Sequence, residues 1–149
     1  MDDLIKLLRS VELFAGLTDE QLKKVAAIFE EHTYKKSDIV FSQGDKGDHL
    51  YLVQEGFVEV IASEGQSQTK GRTLVNLGPG QSVGEMALVD QGPRSATVRA
   101  VSDKTVIGAV SRAAFEQLCE NDTAIGYRVM RNIAIDISFK LRHQTLSRS

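Results

Sequence analysis

The residues with the clearest chemical potential are concentrated in residues 84–97. Within this stretch Glu85 carries a carboxylate, Arg94 a planar guanidinium and Ser95 a hydroxyl. A guanidinium offers directed donors to phosphate oxygens, whereas a lysine offers only a point charge. The residues after Gly84 are predicted to form a single helical turn, and the free backbone N–H groups of such a turn also favour an anion. The segment therefore has the groups needed to hold a small anion.

An ordinary ion pair on the surface is the simplest alternative. Glu85 and Arg94 have opposite charges and lie on either side of a predicted turn. An exposed pair of this kind contributes about 0–1 kcal/mol to stability. Taken by themselves, the two residues fit this interpretation as well as they fit an anion site.

The remaining reactive side chains form no metal or catalytic motif. His32, His49 and His143 are scattered along the chain and show no metal-ligand spacing. Cys119 is the single cysteine, so it cannot form an internal disulfide, and it is predicted to fill space in a helix. The sequence also has no nucleophile–base pair and no Walker loop. We therefore expect no metal site, no cofactor and no enzymatic activity.

Length and composition limit the class of protein. The chain has 149 residues, the size of one globular domain, with 42% apolar and 26% charged residues. No apolar run approaches the roughly 20 residues that a membrane helix needs, and Asp2 and Asp3 give the amino terminus the wrong charge for a signal peptide. A formal net charge of −2 does not favour general binding to nucleic acid. We expect a single cytoplasmic domain without a membrane partner.

Three patterns follow one another along the chain. Residues 1–31 have helical spacing and are predicted to form short helices. Residues 32–110 contain short apolar runs between glycines, together with a polar loop at residues 64–71, and predict an antiparallel barrel or jelly-roll sandwich. Residues 111–149 return to helical spacing. The predicted fold class is mainly β with flanking α-helices.

The helical regions carry identifiable end signals. A capping-box pattern from Thr18 to Gln21 starts the second helix, which is predicted to end near Glu31. Asp122 or Asn121 can cap the long final helix. The predicted inner stripe of that helix consists of Met130, Ile133, Ala134, Ile137 and Leu141.

Residues 84–97 closely resemble the phosphate-binding cassette of cyclic-nucleotide-binding domains. The family pattern has glycine, glutamate, an aliphatic residue, alanine and leucine, then a variable turn, then proline, arginine, a small residue, alanine and threonine. The matching residues are Gly84, Glu85, Met86, Ala87 and Leu88, followed by Pro93, Arg94, Ser95, Ala96 and Thr97. Similarity at residues 13–17 and 44–48 extends the resemblance over nearly the whole chain. Val83 departs from it, because many relatives have phenylalanine there.

The resemblance implies an eight-stranded antiparallel β-roll, with N-terminal helices, a short helix in the cassette, and C-terminal hinge and lid helices. It also implies a phosphate cradle. Arg94 would supply the cation, Ser95 a hydroxyl, and Ala96 a backbone N–H beside a side chain small enough to leave room for the sugar. The N–H groups near Ala87 and Leu88 would face the same phosphate.

A second role in the cassette belongs to the carboxylate. By resemblance, Glu85 accepts a hydrogen bond from the ribose 2′-hydroxyl, which would exclude a 2′-deoxy nucleotide. The ligand-binding residues predicted in the cassette are Gly84, Glu85, Met86, Ala87, Leu88, Arg94, Ser95 and Ala96.

The resemblance also assigns roles to the C-terminal helices. In the family, the helix after the barrel is a hinge and the last helix is a lid over the pocket. Leu88 and Phe115 look like the apolar pair that couples the cassette to the hinge. Arg131 and Ile135, with Phe139 beside them, are candidates to cover the base by stacking or apolar contact. The same face fits equally well a helix pair between two copies of the chain.

Sequence features of the cassette favour cAMP over cGMP. Ser95 occupies the position where cGMP-selective kinase sites have a threonine, and residues 93–97 resemble the cassettes of cAMP-responsive bacterial channels. A serine hydroxyl can still serve guanine, so cGMP stays open as a ligand.

The predicted function is that of a stand-alone cyclic-nucleotide sensor, which signals through its C-terminal helices to an effector protein or to a second copy of itself. One alternative is an interaction or scaffold domain that has lost binding. Another is a transcription regulator without its DNA-binding domain, which would need about 60 further residues. The modest excess of basic residues after Gly126 does not predict direct binding to DNA.

Overall fold

The computed structural model describes residues 2–63, 71–90 and 92–148. Most of the polar loop predicted at residues 64–71 lies outside them. The chain divides into two compact units. One, here called the β unit, is Ile28–Phe115, and the other, the helical unit, combines the residues up to Ala27 with those from Glu116 onward.

In its described residues the β unit contains eight strands, and every strand pair among them is antiparallel. The strands form two four-stranded sheets, with the orders β1-β8-β3-β6 and β2-β7-β4-β5. This confirms the predicted eight-stranded jelly roll, as two sheets rather than a closed barrel. The strands are β1 (Glu30–Tyr34), β2 (Ile39–Phe41), β3 (His49–Glu55), β4 (Val58–Ser63), β5 (Gly71–Leu77), β6 (Ser82–Val83), β7 (Thr97–Ala100) and β8 (Thr105–Ser111).

The core of the β unit lies between the two sheets. Its central cluster takes residues from both sheets, namely Phe41, Val53, Val58, Val98 and Ile107. Strand β8 lies between β1 and β3 and is buried at every position except the last, because both of its faces are covered. Strand β7, in contrast, alternates between buried and more exposed positions, as expected for a strand with one face on the core.

One predicted boundary is wrong. The second helix, α2, spans Asp19–Ala26 and does not continue to Glu31, because Glu30–Tyr34 forms β1 and pairs with β8. Phe29 lies against Gly108 of β8, where an added Cβ would stand 3.1 Å from its ring. The helical spacing of the sequence continues past the end of α2. Pairing with β8 nevertheless makes the following residues a strand.

The helical unit begins with α1 (Asp2–Arg9), a 3₁₀ helix (Glu12–Phe14) and α2. The predicted capping box is confirmed. The hydroxyl of Thr18 accepts the Gln21 N–H at 3.2 Å, and the Gln21 side chain accepts the Thr18 N–H at 2.8 Å. Two orphan donors of the first turn are satisfied in this way, which fixes where the helix starts.

Two further helices follow the strands, α3 (Arg112–Asn121) and α4 (Thr123–Arg148). Asp122 caps α4 as predicted, since its carboxylate accepts the Ile125 N–H at 3.3 Å. The same carboxylate accepts a hydrogen bond from Lys24 of α2 at 2.9 Å. The amide of Asn132 on α4 donates to two carbonyls at the 3₁₀ helix, each at 2.9 Å.

The predicted inner stripe of α4 is largely wrong. Among the described residues, its buried apolar side chains are Ile125, Val129 and Ile133, which follow one another at four-residue spacing. Met130 and Leu141 were predicted to face inward but are 36% and 57% exposed. The sequence carries apolar residues on several faces of this helix, so spacing alone did not identify the covered one. No helix in the described ranges is both long enough and apolar enough to cross a membrane.

Candidate functional site

A pocket of about 270 Å³ opens in the β unit beside the segment that the sequence singled out. Strands β2, β4, β6 and β7 contribute Phe41, Val60, Val83 and Val98 to its lining. Most of the predicted binding residues line it as well, namely Gly84, Glu85, Met86, Ala87, Arg94, Ser95 and Ala96. The fold therefore brings the two halves of the segment around one cavity.

The first half of the segment forms the predicted helical turn, a 3₁₀ helix (Glu85–Leu88). Gly84 caps it in the left-handed region, with a φ of +93°. The Ala87 N–H donates to the Gly84 carbonyl at 2.9 Å, so the prediction that this N–H is free is wrong. The tighter 3₁₀ pairing uses that donor. Within the described residues, the N–H groups of Glu85 and Met86 have no backbone or side-chain acceptor.

Arg94 comes from the second half, in the loop before β7. Its Nη2 donates to the backbone carbonyl of His49 at 2.6 Å. The guanidinium carbon stands 4.3 Å from the ring centre of Phe41 and 5.4 Å from that of Tyr51. Both distances are within the range of a cation–π contact. The half-buried guanidinium is therefore held in place by contacts with the protein itself.

Two glycines give this guanidinium its space. A Cβ on Gly84 would stand 2.5 Å from Nη1 of Arg94, and a Cβ on Gly47 would stand 3.2 Å from Nε. Gly47 was not among the binding residues predicted from the sequence. Its position against the Arg94 side chain, and in the pocket lining, adds it to the site.

Burial and the neighbouring groups act on the pKa of Arg94 in opposite directions. Burial lowers the pKa of Arg94 below its ordinary value, whereas Tyr51 and the carboxylates of Asp48 and Asp45 raise it. A guanidinium stays protonated in proteins, so the pocket wall carries a positive charge. Burial also raises the pKa of Tyr51, which keeps its ring neutral at physiological pH. The hydrogen bond from His49, at 2.7 Å, lowers the pKa of Asp48.

The surface ion pair between Glu85 and Arg94 does not exist. Both residues are described, and no ion pair joins them. Arg94 is directed to the His49 carbonyl instead, while Glu85 lines the pocket and is partly exposed. The alternative interpretation of these two residues is therefore wrong.

Two consecutive backbone carbonyls, those of Asp48 and of His49 at the start of β3, connect the pocket to the start of α3. The His49 carbonyl accepts the Arg94 guanidinium, and the Asp48 carbonyl accepts the Arg112 N–H at 2.9 Å. His49 is also the register partner of Ser111 on β8. These bonds lie entirely within the β unit.

The other predicted residues lie elsewhere. Leu88 is 1% exposed and Phe115 is fully buried, so both belong to the interior, and their coupling stays a prediction. Arg131 and Ile135 are exposed residues of α4 in the helical unit. Their predicted contact with a ligand stays a prediction.

Besides Gly47, three other groups that hold Arg94 were not predicted from the sequence. They are the rings of Phe41 and Tyr51 and the carbonyl of His49. An aromatic residue at an inward position of a strand is predicted to belong to the core. Its contact with an arginine far away in sequence leaves no local pattern from which it could be predicted. Among the described residues, no group of three or more His, Cys, Asp or Glu side chains could hold a metal ion.

Comparison with known families gives one match that covers most of the chain. The family model described as "Cyclic nucleotide-binding domain" matches residues 31–122. This range includes the whole pocket lining and the start of α3.

Two curated relatives with similar sequences have names that refer to cyclic AMP. The chain is 40% identical over 95 residues to the cyclic AMP receptor protein of Thermus thermophilus, covering 64% of this chain and 43% of that protein. It is 38% identical over 112 residues to the cAMP-dependent protein kinase regulatory subunit of Emericella nidulans, covering 71% and 27%. The chain thus spans less than half the length of these relatives.

Solved structures show the same fold. The N-terminal domain of a transcriptional regulator from Streptomyces coelicolor superimposes with a TM-score of 0.82 at 30% identity, covering 90% of this chain and 94% of that one. The catabolite activator protein of Thermus thermophilus gives a TM-score of 0.78 at 34% identity, covering 91% and 61%.

Proposed function

Because the chain belongs to the cyclic nucleotide-binding domain family, we propose that its pocket binds a cyclic nucleotide, cAMP in preference to cGMP, and that binding is signalled through the C-terminal helices. The observation that carries the proposal is the guanidinium of Arg94, held half-buried in the wall of a pocket of about 270 Å³. A cation in this position favours an anionic ligand, since an anion taken out of water needs a charge and donors in its place.

The phosphate is assigned to Arg94 and its neighbours. A cyclic nucleotide carries one negative charge on its phosphodiester, which the guanidinium can meet with directed hydrogen bonds. Ser95 adds an exposed hydroxyl beside it, and Ala96 offers a backbone N–H next to a small side chain. The N–H groups of Glu85 and Met86 supply further donors from the 3₁₀ helix.

The sugar is assigned to Glu85. Its carboxylate is partly exposed, lines the pocket and forms no ion pair among the described residues, so it can accept a hydrogen bond from a ribose hydroxyl. Val60, Val83 and Met86 give the same cavity an apolar wall. A pocket with a few convergent polar groups on an apolar wall is typical of a small-molecule site.

The preference for cAMP rests on Ser95 and on the relatives. Threonine at this position is the feature that marked cGMP-selective sites, and this chain has serine. The names of the Thermus receptor and the Emericella kinase subunit both refer to cAMP.

The output is assigned to α4 and to a partner. Ile135 and Phe139 are 51% and 60% exposed and lie four positions apart on α4, so they place two large apolar side chains next to each other on its surface. Such a surface fits a role in covering the base, in binding an effector protein, or in pairing with a second copy. We propose an effector protein or a homodimer as the partner, in the cytoplasm, without enzymatic activity.

A second candidate function is the sensor part of a transcription regulator. It is favoured by the similarity to the Streptomyces domain, of which this chain covers 94%. Both candidates require the same pocket and the same ligand, so the first experiment is common to them.

Calorimetric titration with cAMP, cGMP and linear AMP tests the proposal. We expect cAMP to bind more tightly than cGMP, and both to bind more tightly than AMP, whose open phosphate carries a different charge and shape. No heat and no competition by either cyclic nucleotide at high micromolar concentration would contradict binding, and would favour the scaffold alternative instead. Sedimentation with and without cAMP then distinguishes a homodimer from a monomer that needs an effector.

A further inference from the structure

We infer that Phe41 and Tyr51 form an aromatic platform that positions the Arg94 guanidinium for the phosphate before the ligand arrives. The inference rests on the proposed function for the identity of the ligand. It assigns to two ring side chains, outside the segment that carries the family pattern, a role in affinity that acts through Arg94 alone.

The platform lies on one side of the guanidinium. The guanidinium carbon is 4.3 Å and 5.4 Å from the two ring centres, and the ring centres are 5.3 Å from each other. Three separations of similar size place the rings side by side, since rings on opposite faces would be much farther apart. The planes of the two rings differ by 32°. The guanidinium therefore rests on a pair of π faces and keeps other donors available.

Each ring is fixed by a different sheet. Phe41 ends β2, is 8% exposed and belongs to the central core cluster. Tyr51 is in β3, half-buried, and packs against the same cluster. Hydrogen bonding of the two sheets and packing of the core between them hold the rings in place, so the platform does not depend on Arg94 for its own position.

Other groups around the guanidinium also limit its movement. The His49 carbonyl accepts Nη2, and Gly84 and Gly47 lie close beside Nη1 and Nε. A free arginine side chain has many rotamers, and ordering one on binding reduces affinity. A guanidinium that is already ordered avoids this loss. The platform is the part of this arrangement that requires a planar cation, because a lysine ammonium cannot stack on a ring pair in the same way.

A role of the rings in core packing alone is the competing explanation, and coupling to Arg94 separates the two. The variants Y51L, Y51F and Y34L are made in the natural chain and in an R94K background, and cAMP affinity is measured by calorimetry. Tyr34 is a matched control: it is half-buried against the same core cluster, but among the described residues the cation–π contacts of Arg94 are with Phe41 and Tyr51.

We expect Y51L to weaken cAMP binding about tenfold, equivalent to about 1.4 kcal/mol. Y51F keeps the ring and should restore most of that affinity. In the R94K background the effect of Y51L should fall below about twofold, because no planar cation remains to be positioned. The inference is overturned if Y51L costs the same factor in both backgrounds, or if Y34L costs as much as Y51L.

A ligand-free measurement keeps the inference testable whether or not cAMP binds. The Arg94 Nε–H signal, followed by NMR relaxation, should report an ordered side chain in the natural protein and in Y34L, and a mobile one in Y51L. Equal order in Y51L and the natural protein contradicts the platform. Loss of order in Y51L, together with no cAMP binding by the natural protein, leaves the platform in place and contradicts the proposed function.

Discussion

Gly84 offers the sharpest test of the site, because alanine there must displace Arg94. Its backbone has a φ of +93°, and an added Cβ would stand 2.5 Å from Nη1 of Arg94 and 3.0 Å from the His49 carbonyl. The carbonyl belongs to a strand and cannot move far, so the guanidinium has to yield. Gly44 is a matched control, since its φ is +92° and an added Cβ would meet nothing within 4 Å.

The two substitutions separate backbone strain from displacement. An alanine held in the left-handed region costs about 1–2 kcal/mol, so G84A and G44A should lose a similar free energy of unfolding. Only G84A also moves the guanidinium. Loss of one charge-assisted hydrogen bond to the phosphate costs about 1.5–3 kcal/mol, which corresponds to roughly 10- to 150-fold weaker binding of cAMP. For G44A we expect a change of less than about twofold.

The assay combines thermal unfolding of both variants with calorimetric titration of cAMP at a temperature where both are folded. A normal unfolding transition for G84A, with weak binding, assigns the loss to the pocket. Equal cAMP affinity in G84A and G44A would refute the reasoning, because the displaced guanidinium would then have no part in binding.

Three further predictions concern individual charges. R94A should weaken cAMP binding by at least about 2–3 kcal/mol, or roughly 30- to 150-fold in calorimetry, and an unchanged affinity would place the ligand elsewhere. E85A should narrow the preference for cAMP over its 2′-deoxy form, measured by competition, and a preserved ratio would count against a ribose contact. The pKa of Asp122 is lowered chiefly by its hydrogen bond from Lys24, so its stabilising contribution is present above the ordinary value of 3.8 and is lost as the pH falls through the lowered pKa of the folded state. D122N should therefore flatten the fall in unfolding temperature at acid pH, and identical acid profiles of the two proteins would contradict this assignment.

Features with a local physical cause could be predicted from the sequence. Thr18 and Gln21 satisfy each other's backbone within one turn, so their spacing alone located the start of α2. The helical turn after Gly84 is likewise set by a left-handed glycine and the few residues behind it. Glycines between short apolar runs predicted the strands, because turns and inward alternation are both local patterns.

Features that depend on distant partners could not be predicted in the same way. Glu30 and Glu31 continue a helical spacing, yet they form β1 because β8 is available to pair with them. In the sequence, Tyr51 cannot be distinguished from other inward-facing residues of a strand. Its contact with Arg94, 43 positions later in the sequence, is seen only in the structure. The free N–H groups of the 3₁₀ helix also differ from the prediction, since its tighter hydrogen bonding uses the Ala87 donor.

The origin of the two rings in different sheets has a consequence for how the protein folds. Phe41 comes from β2 in one sheet and Tyr51 from β3 in the other, and Arg94 follows them only after most of the strands. Contacts between residues so far apart in sequence form late, because long loops must close before they are made. In a refolding experiment, the capacity to bind ligand should therefore return with the docking of the two sheets and after the helices have formed, so that binding itself reports the last step of assembly of the β unit.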